Sequence, residues 1–247
     1  MNFFSLLKRN LIFKLKKKTS IDNDNITSKS LDFLLYEYGS DKSNVFKLNQ
    51  KPGHGYSIYY EKKLNQYKDK NLNILEIGSY SGASAAAFIK YLPKSKVYCF
   101  DVNISNFKYK SENINVYGID INNQKKLLKT LSKIFLEQNF NQFDLIIDDG
   151  SHNLSDILIS LKFFFKYVKN KGLYIIEDYK HPNYYKYNRN IDHLLIDQIF
   201  ANLNNKKFFT SNIFNNDDQR ELINSIKMIE TFKGNLNDSD ISFITKA

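Results

Sequence analysis

Strand-like and helix-like patterns alternate regularly along this chain between residues 71 and 180. Short continuous apolar runs predict strands buried on both faces, and the intervening segments repeat apolar residues at helical spacing. This alternation is typical of a mostly parallel sheet with helices on both of its faces. The predicted strands are 73–78, 96–102, 114–120, 143–148 and 172–179, and the predicted helices are 83–92, 124–135 and 154–169.

The last part of the chain adds a predicted helix around residues 191–203 and two strands, at 226–232 and 240–246. These two strands are expected to form a late antiparallel pair. The predicted fold class is therefore α/β, with a doubly wound, Rossmann-like, mostly parallel sheet of seven strands and helices on both faces. A short helix that ends near Gly39 is predicted upstream of the sheet.

Composition limits the class of protein. The chain has 247 residues, of which 42% are hydrophobic, so it can bury the core of one generous domain. Its single cysteine, Cys99, excludes a disulfide framework and favours a reducing compartment, which predicts a cytoplasmic location. No apolar run is long enough to span a bilayer, and no cleavage site of a signal peptide is recognised.

Positive charge is concentrated near the N-terminus. The net charge is +10, and six bases without an acid lie between residues 8 and 18, which leaves +4 for the remainder. The charge distribution therefore does not favour nucleic-acid binding. Residues 1–18 mix these bases with Phe, Leu and Ile, as either a membrane-surface helix or a terminal helix packed on a partner would. The second interpretation is favoured, and weak peripheral contact with a membrane stays open.

A glycine-containing turn, in ILEIGSYSGAS, follows the first predicted strand. Doubly wound sheets bind their ligands at this turn. Gly78 and Gly82 give the spacing G-x-x-x-G, which differs from the G-x-G-x-x-G of dinucleotide-binding proteins. Glu76 places a carboxylate beside the turn, where it suits a cation better than a pyrophosphate. Asp101 and Asp120 end the second and third strands, where acids can accept hydrogen bonds from ribose hydroxyls and an adenine amino group.

The stretch FDLIIDDGSHN brings two carboxylates and a histidine to the end of the fourth predicted strand. Asp148 and Asp149 end that strand, and Glu177 and Asp178 end the fifth. Neighbouring strands lie about 4.8 Å apart, so these carboxylates are expected to share one small space. Their repulsion would raise their pKa values unless a hard divalent cation binds between them. His152 could then accept the proton of a substrate hydroxyl whose pKa the cation lowers.

Simpler interpretations of these acids stay open. Ser151 or Asp149 could cap the helix that follows, because carboxylates suit its positive end. Glu177 and Asp178 could form a strand-end turn without a metal. Asp148 could also replace Asp149 as a ligand, since successive side chains of a strand face opposite ways.

The E-x-G-x-x-x-G turn and the acids that end strands two and three resemble class I S-adenosylmethionine-dependent methyltransferases. The acids and histidine after strands four and five resemble a narrower group, the metal-dependent O-methyltransferases of the macrocin and sugar type. The resemblance implies S-adenosylmethionine and Mg²⁺, or another hard divalent cation, as cofactors. It implies Asp149, Glu177 and Asp178 as metal ligands, and His152 and Asp149 as catalytic residues, with His152 as the general base. The implied cofactor-binding residues are Glu76, Gly78, Ser79, Tyr80, Gly82, Asp101, Asp120, Asp148, Lys42 and Tyr56.

The upstream stretch YGSDK…HGYSIYYEKKL resembles the G-[ST]-D-K…H-x-Y…Y pattern of the same group. In that group, residues upstream of the sheet close over cofactor and substrate, which implies roles for Asp41, Lys42, His54, Tyr56 and Tyr60. The chain departs from the pattern by the inserted stretch NVFKLNQKPG. The predicted division is a basic amphipathic segment with a linker at 1–30, a helical lid region at 31–70, and an S-adenosylmethionine-binding methyltransferase domain at 71–247.

The function implied by the resemblance is methylation of a hydroxyl on a sugar or a glycosylated natural product, so the partner is a small-molecule or glycan acceptor. An RNA methyltransferase is the first alternative, although DDGS occupies the place of an N-P-P-[YF] motif. A non-catalytic, methyltransferase-like binding module, used for interaction or for membrane attachment through residues 1–18, is the second. A nicotinamide-dependent oxidoreductase fits worst, because Glu76 suits a pyrophosphate poorly. The oligomeric state, including a homo-oligomer, stays open.

Outside these motifs, His181 and His193 are weaker candidates, since a lone surface histidine usually has no such role. Tyr184, Tyr185 and Tyr187 could stack on a sugar or aromatic acceptor, or could pack within a loop.

Overall fold

The structure is a computed structural model that describes residues 3–24, 26, 29–180 and 191–247. Its helices are α1 (Phe3–Leu15), α2 (Leu31–Tyr38), α3 (Ser57–Leu64), α4 (Ala83–Tyr91), α5 (Gln124–Gln138), α6 (Leu154–Phe164), α7 (Ile196–Asn204) and α8 (Asn216–Ser225). Its strands are β1 (Thr19–Ser20), β2 (Val45–Phe46), β3 (Lys51–Pro52), β4 (Asn73–Ile77), β5 (Lys96–Asp101), β6 (Tyr109–Lys110), β7 (Ile114–Gly118), β8 (Phe143–Asp148), β9 (Val168–Glu177), β10 (Ile226–Lys233) and β11 (Asp240–Lys246). Single 3₁₀ turns follow α3, β5 and α6, at Asn65–Tyr67, Ile104–Asn106 and Phe165–Tyr167.

Seven strands form one sheet in the order β10-β11-β9-β8-β4-β5-β7. The strands from β9 to β7 in this order run parallel, and β11 runs antiparallel to both of its neighbours. Chain order reverses between β4 and β8, and the ligand crevice of a doubly wound sheet lies at such a reversal. The predicted fold class, with seven strands and a late antiparallel pair, is confirmed.

Both faces of the sheet are covered, because successive strand residues alternate between them. In β4, Leu75 and Ile77 belong to one hydrophobic cluster and Ile74 to the other. In β8, Ile146 belongs to the first cluster and Leu145 to the second. Apolar residues therefore fill the strand interiors, and the polar groups of the motifs are left to the strand ends.

Helix α2 delivers the upstream motif to the edge of the sheet. The helix begins where Ser30 Oγ accepts a hydrogen bond from the backbone of Phe33 at 3.2 Å. It ends at Gly39, whose φ of +79° lies in the left-handed region that favours glycine. Packing of α2 on α4 fixes the position of this turn. The chain that leaves it carries Asp41 and Lys42 into the site described below.

Several local elements differ from the sequence-based expectation. The helix expected to reach residue 169 ends at Phe164, and β9 begins early because Val168 pairs with Phe143 of β8. The expected linker at 19–30 contains β1, which pairs in parallel with β6, and Ile21 beside it is fully buried. Helices α3 and α8 have no counterpart among the predicted helices.

Four of the weaker candidates, His181, Tyr184, Tyr185 and Tyr187, lie outside the described residues. The fifth, His193, is exposed. Among the helices in the described ranges, none combines the length and the apolar character needed to cross a membrane.

Candidate active site

The carboxyl ends of β4, β5, β8 and β9 meet at one edge of the sheet. Ile77 is level with Asp148 of the next strand, and Asp148 is level with Ile176 of the strand after that. The loops that follow these strands therefore start at the same height. A cavity of about 850 Å³ lies along this edge, within the range of about 300–1,000 Å³ of small-molecule sites.

The turn between β4 and α4 forms one wall of the cavity, which Gly78, Ser79 and Tyr80 line. Gly78 has a φ of +86°, and a Cβ atom there would lie 1.9 Å from the carbonyl oxygen of Asp149. Only glycine fits this position, because any side chain would separate the turn from the end of β8. Gly82 has a φ of +75° and lies behind the wall, where a Cβ would meet an aromatic ring.

Two acids line the same end of the cavity, as expected from their places after β5 and β7. Asp101 accepts hydrogen bonds from the backbone N–H groups of Tyr80, at 2.7 Å, and Asn103. Asp120 accepts one from the backbone of Asn122 at 3.1 Å. Each carboxylate oxygen has a second lone pair, so both acids can still accept hydrogen bonds from a ligand.

Glu76 lies beneath the glycine turn and is fully buried. Its Oε1 accepts a hydrogen bond from the hydroxyl of Ser84, and its Oε2 has no hydrogen-bond partner among the described residues. Burial raises the pKa of Glu76, and the nearby Lys42 opposes that shift. Glu76 is not among the residues that line the cavity, so the structure places its carboxyl group behind the glycine turn and not in the cavity wall, contrary to the expectation of a cofactor-binding residue.

Lys42 is buried among the acids at the ends of β8 and β9, which we call the acidic wall. Its ammonium group forms ion pairs with Asp149 and with Glu177. Burial alone would lower the pKa of Lys42, but the two carboxylates raise it well above its usual range. The second oxygen of Glu177 accepts a hydrogen bond from the hydroxyl of Tyr60. Burial raises the pKa of Glu177 to about 8, against the lowering effect of Lys42.

Asp178 is held by two residues of the upstream motif. The hydroxyl group of Tyr56 donates a hydrogen bond to Asp178 Oδ1, and His54 Nδ1 lies 3.3 Å from the same oxygen. Burial would raise the pKa of Asp178, but His54 and Tyr56 lower it overall. Burial would lower the pKa of His54, but Asp178 and then Asp41 raise it to about 9. His54 is therefore a cation at neutral pH, and Asp178 is an anion.

Three residues form a group that can hold a metal ion. Ligand atoms of Asp149, His152 and Asp178 all lie within 4.8 Å of one another. His152 Nε2 is 3.7 Å from Asp149 Oδ1 and 3.9 Å from Asp178 Oδ2. The backbones of His152 and Asp178 adopt positive φ values of 55° and 49°, a conformation that costs such residues about 1–3 kcal/mol and is concentrated at functional sites. Two carboxylates and an imidazole are suitable ligands for a divalent cation.

The two adjacent acids at the carboxyl end of β8 differ in their surroundings. Asp149 lines the cavity. Asp148 is buried, and its Oδ2 accepts a hydrogen bond from the hydroxyl of Tyr174 at 3.1 Å. Burial raises the pKa of Asp148 to about 6, although Ser160 and Tyr174 lower it. Between these two acids, the one that reaches the cavity is Asp149.

Every residue of the upstream motif reaches this region. Asp41, Lys42 and His54 line the cavity, whereas Tyr56 and Tyr60 are fully buried and bond to its acids from behind. The tyrosines therefore act on the site through Asp178 and Glu177, and the structure gives Tyr56 no direct place in the wall.

Among the parts of the wall that the sequence did not predict are a hairpin and a turn. The β2–β3 hairpin, formed by the inserted stretch, contributes Phe46 and Leu48. The turn between β10 and β11 contributes Asp238, and Ser239 Oγ lies 2.7 Å from His54 Nδ1. The turn before β11 could have been expected near the site from the predicted late strand pair, because a strand that runs antiparallel to β9 must begin where β9 ends. The inserted stretch has no counterpart in the motif and so offered no signal.

Comparison with known proteins identifies the central part of the chain. Residues 75–179 match a family described as "Methyltransferase domain". The chain is 28% identical, over 155 residues, to L-olivosyl-oleandolide 3-O-methyltransferase of Streptomyces antibioticus, which covers 60% of this chain and 36% of that protein. It is 26% identical, over 132 residues, to demethylmacrocin O-methyltransferase of Streptomyces fradiae, and this match covers 51% of this chain and 32% of that protein. The chain thus spans about a third of the length of the curated relatives it matches.

The fold has a solved counterpart in MycE methyltransferase from the mycinamycin biosynthetic pathway, in complex with Mg, SAH and mycinamycin VI. The TM-score is 0.63 at 16% identity, and the match covers 89% of this chain and 55% of that one. The resemblance to class I S-adenosylmethionine-dependent methyltransferases of the macrocin type is therefore confirmed by the family match and the curated relatives. The likeness to MycE shows that the fold is shared.

Proposed function

We propose that the chain catalyses S-adenosylmethionine-dependent O-methylation of a sugar or glycosylated small molecule, assisted by a divalent cation such as Mg²⁺. One observation carries the proposal: Asp149, His152 and Asp178 meet within 4.8 Å in the wall of a cavity that the glycine turn and Asp101 also line. A cofactor pocket and a cation-binding group therefore share one space. The names of the matched relatives, which are O-methyltransferases of glycosylated compounds, support the choice of acceptor.

The cofactor is assigned to the glycine-turn end of the cavity. The turn from Gly78 to Tyr80 supplies a wall without bulky side chains. Asp101 and Asp120 can accept hydrogen bonds from ribose hydroxyls and from an adenine amino group.

The cation is assigned to the acidic wall. Asp149 and Asp178 would hold it, and Glu177 could join them if the Lys42 ammonium left its present position between Asp149 and Glu177. A bound divalent cation would lower the pKa of an acceptor hydroxyl and orient it. The donor set fits a hard cation, because its donors are carboxylate oxygens.

His152 is the proposed general base. Its Nε2 lies 3.7 Å from Asp149 Oδ1 and 3.9 Å from Asp178 Oδ2, beside the two acids that would hold the cation and therefore beside the acceptor hydroxyl. Asp149 orients the imidazole as well as the acceptor. Tyr56 and His54 hold Asp178 in place, and they are positioning residues because they touch the acid and not the reacting atoms.

The acceptor is assigned to the part of the cavity beside the upstream motif. Phe46 and Leu48 of the hairpin offer apolar surface there, and Asp41 and Asp238 offer carboxylates. Sugar recognition uses this mixture, since a sugar presents hydroxyl groups around an apolar ring face. The division of the chain follows: residues 71–247 bind the cofactor, residues 31–70 cover the acceptor, and residues 1–30 lie apart from the chemistry. A cytoplasmic location is part of the proposal, because the single cysteine, Cys99, is free and buried.

A methyl-transfer assay tests the proposal. Labelled S-adenosylmethionine is incubated with the chain, Mg²⁺ and a panel of glycosides, with the corresponding deoxy sugars and amino sugars as controls. We expect the labelled methyl group to appear in a glycoside that carries a hydroxyl group and not in the analogue that lacks that hydroxyl. We also expect EDTA to abolish the transfer. Transfer to RNA or to an amine, with no glycoside methylated, would contradict it.

A further inference from the structure

The N-terminal helix α1 exposes a line of leucines to solvent. Leu7, Leu11 and Leu15 have exposed fractions of 50%, 58% and 78%. They are four residues apart, so they lie on one face of the helix, and we call them the leucine stripe. Single exposed leucines are common on protein surfaces, but an aligned set on one helix marks an interaction surface.

The opposite face of α1 is fixed on the methyltransferase domain. Leu6 is buried, and the ring of Phe13 packs edge-to-face on Phe107 at 6.2 Å. Arg9 donates a hydrogen bond to the carbonyl of Val102 at 3.2 Å, and Lys16 donates one to the carbonyl of Ser105 at 3.0 Å. The leucine stripe therefore points outward because of the way the helix is docked.

Lysines flank the leucine stripe on both sides. Lys8 and Lys14 are each three residues from Leu11, in opposite directions, so they lie on either side of it at the helix surface. Both lysines are exposed. No acid occurs before Asp22, so the positive charge of this face is not offset within its own segment.

We propose that the leucine stripe docks on the surface of an anionic lipid bilayer. An interfacial helix inserts its apolar face among the lipid acyl chains, and lysines beside that face meet the anionic headgroups. A lipid surface accepts a ridge of side chains without a complementary groove. A symmetric contact between two copies would instead bring four lysines together without a compensating acid, which electrostatic repulsion disfavours. The proposal is independent of the proposed catalytic activity.

Vesicle co-sedimentation of the full chain tests the proposal, using phosphatidylcholine vesicles with and without phosphatidylglycerol. We expect binding to the anionic vesicles only. The variant L7S/L11S should lower the partition coefficient about tenfold or more, because two apolar side chains no longer leave water. The variant K8Q/K14Q should lower it about fivefold for each lysine removed.

The matched control is L128S/L136S, which removes two exposed leucines from α5. The control should bind vesicles as the unchanged chain does. All three variants should have the same circular dichroism spectrum as the unchanged chain. Equal binding to both vesicle types, no binding to either, or an equal loss in the control would overturn the proposal. A dimer that L7S/L11S dissociates in the absence of lipid would assign the stripe to a second copy. Binding to polyglutamate but not to anionic vesicles would assign it to an acidic protein, and either result also overturns the proposal.

Discussion

The buried ammonium group of Lys42 is paired with the carboxylate of Glu177, in the space where the sequence predicts a divalent cation. Asp149 is the second partner of the same ammonium group. The single positive charge therefore lies between two acidic groups and reduces the repulsion between them. This relationship makes the stability of the fold and the binding of a cation depend on the same charges.

Replacing Lys42 by methionine should destabilise the protein and make it depend on a cation. Removing one partner of a buried ion pair costs about 3–5 kcal/mol, because the remaining charges lose their compensation. Thermal unfolding should therefore show a lower Tm in EDTA. Mg²⁺ should raise the Tm of K42M more than that of the unchanged chain. Equal Mg²⁺ effects on both proteins would show that the cation does not bind at these carboxylates.

Replacing His152 by alanine should remove turnover and leave the cofactor bound. Loss of a general base lowers kcat by about 10²- to 10⁴-fold. The side chain of His152 lines the cavity but is not part of the glycine turn, so the affinity for S-adenosylhomocysteine should stay within about twofold. Turnover and calorimetric titration measure the two quantities. Unchanged turnover in H152A would remove His152 from the mechanism.

Replacing Gly78 by alanine should unfold the turn and abolish cofactor binding. The new Cβ would approach the carbonyl oxygen of Asp149 to 1.9 Å, in addition to the strain of a φ of +86°. Gly39 provides a matched control, because its φ is +79° but a Cβ there meets nothing within 4 Å. G39A should cost about 1–2 kcal/mol for the left-handed backbone alone. Equal free energies of unfolding for the two variants, with cofactor binding retained in both, would contradict the tight approach of the turn to β8.

Replacing Asp148 by asparagine should stabilise the protein above pH 6 without loss of cofactor. Burial raises the pKa of Asp148 to about 6, so the folded chain favours the protonated carboxyl. The stability that this group contributes is complete below about pH 4, where it is protonated in both states, and is lost as the pH rises through 6. The gain in D148N should therefore be absent near pH 4 and reach the order of 2–3 kcal/mol near pH 8.

Chemical unfolding in metal-free buffer at several pH values measures this gain. D149N is the matched comparison. The side chain of Asp149 lines the cavity, so its replacement should affect cation binding instead of the pH dependence of stability. A gain in D148N that is independent of pH, or a loss of cofactor binding in that variant, would contradict the placement of the two acids.

The fold and the strand-end acids could be predicted because local patterns determine them. Strands buried on both faces read as apolar runs, and the first polar residues after them must lie at the edge of the sheet. Asp101, Asp120, Asp149 and Asp178 all follow this rule and all line the cavity. Only the structure decides between Asp148 and Asp149, because the sequence is compatible with either side chain facing the cavity.

Long-range partners could not be predicted from local pattern. Nothing in the sequence places Lys42 between Asp149 and Glu177, because 107 and 135 residues separate it from them. The pairing of β1 with β6 also joins distant residues, from Thr19 to Tyr109, and two residues are too few to form a recognisable strand signal. Tyr60 was singled out only through the family pattern, and its bond to Glu177 appears first in the structure.

Calorimetric titration of the full chain with S-adenosylhomocysteine, followed by Mg²⁺, tests the central claim most directly. The account predicts saturable binding of one nucleoside, followed by saturable binding of one cation. It also predicts that the double variant D149N/D178N keeps the first step and loses the second. No heat of nucleoside binding under any condition, or a cation affinity that D149N/D178N leaves unchanged, would contradict the account.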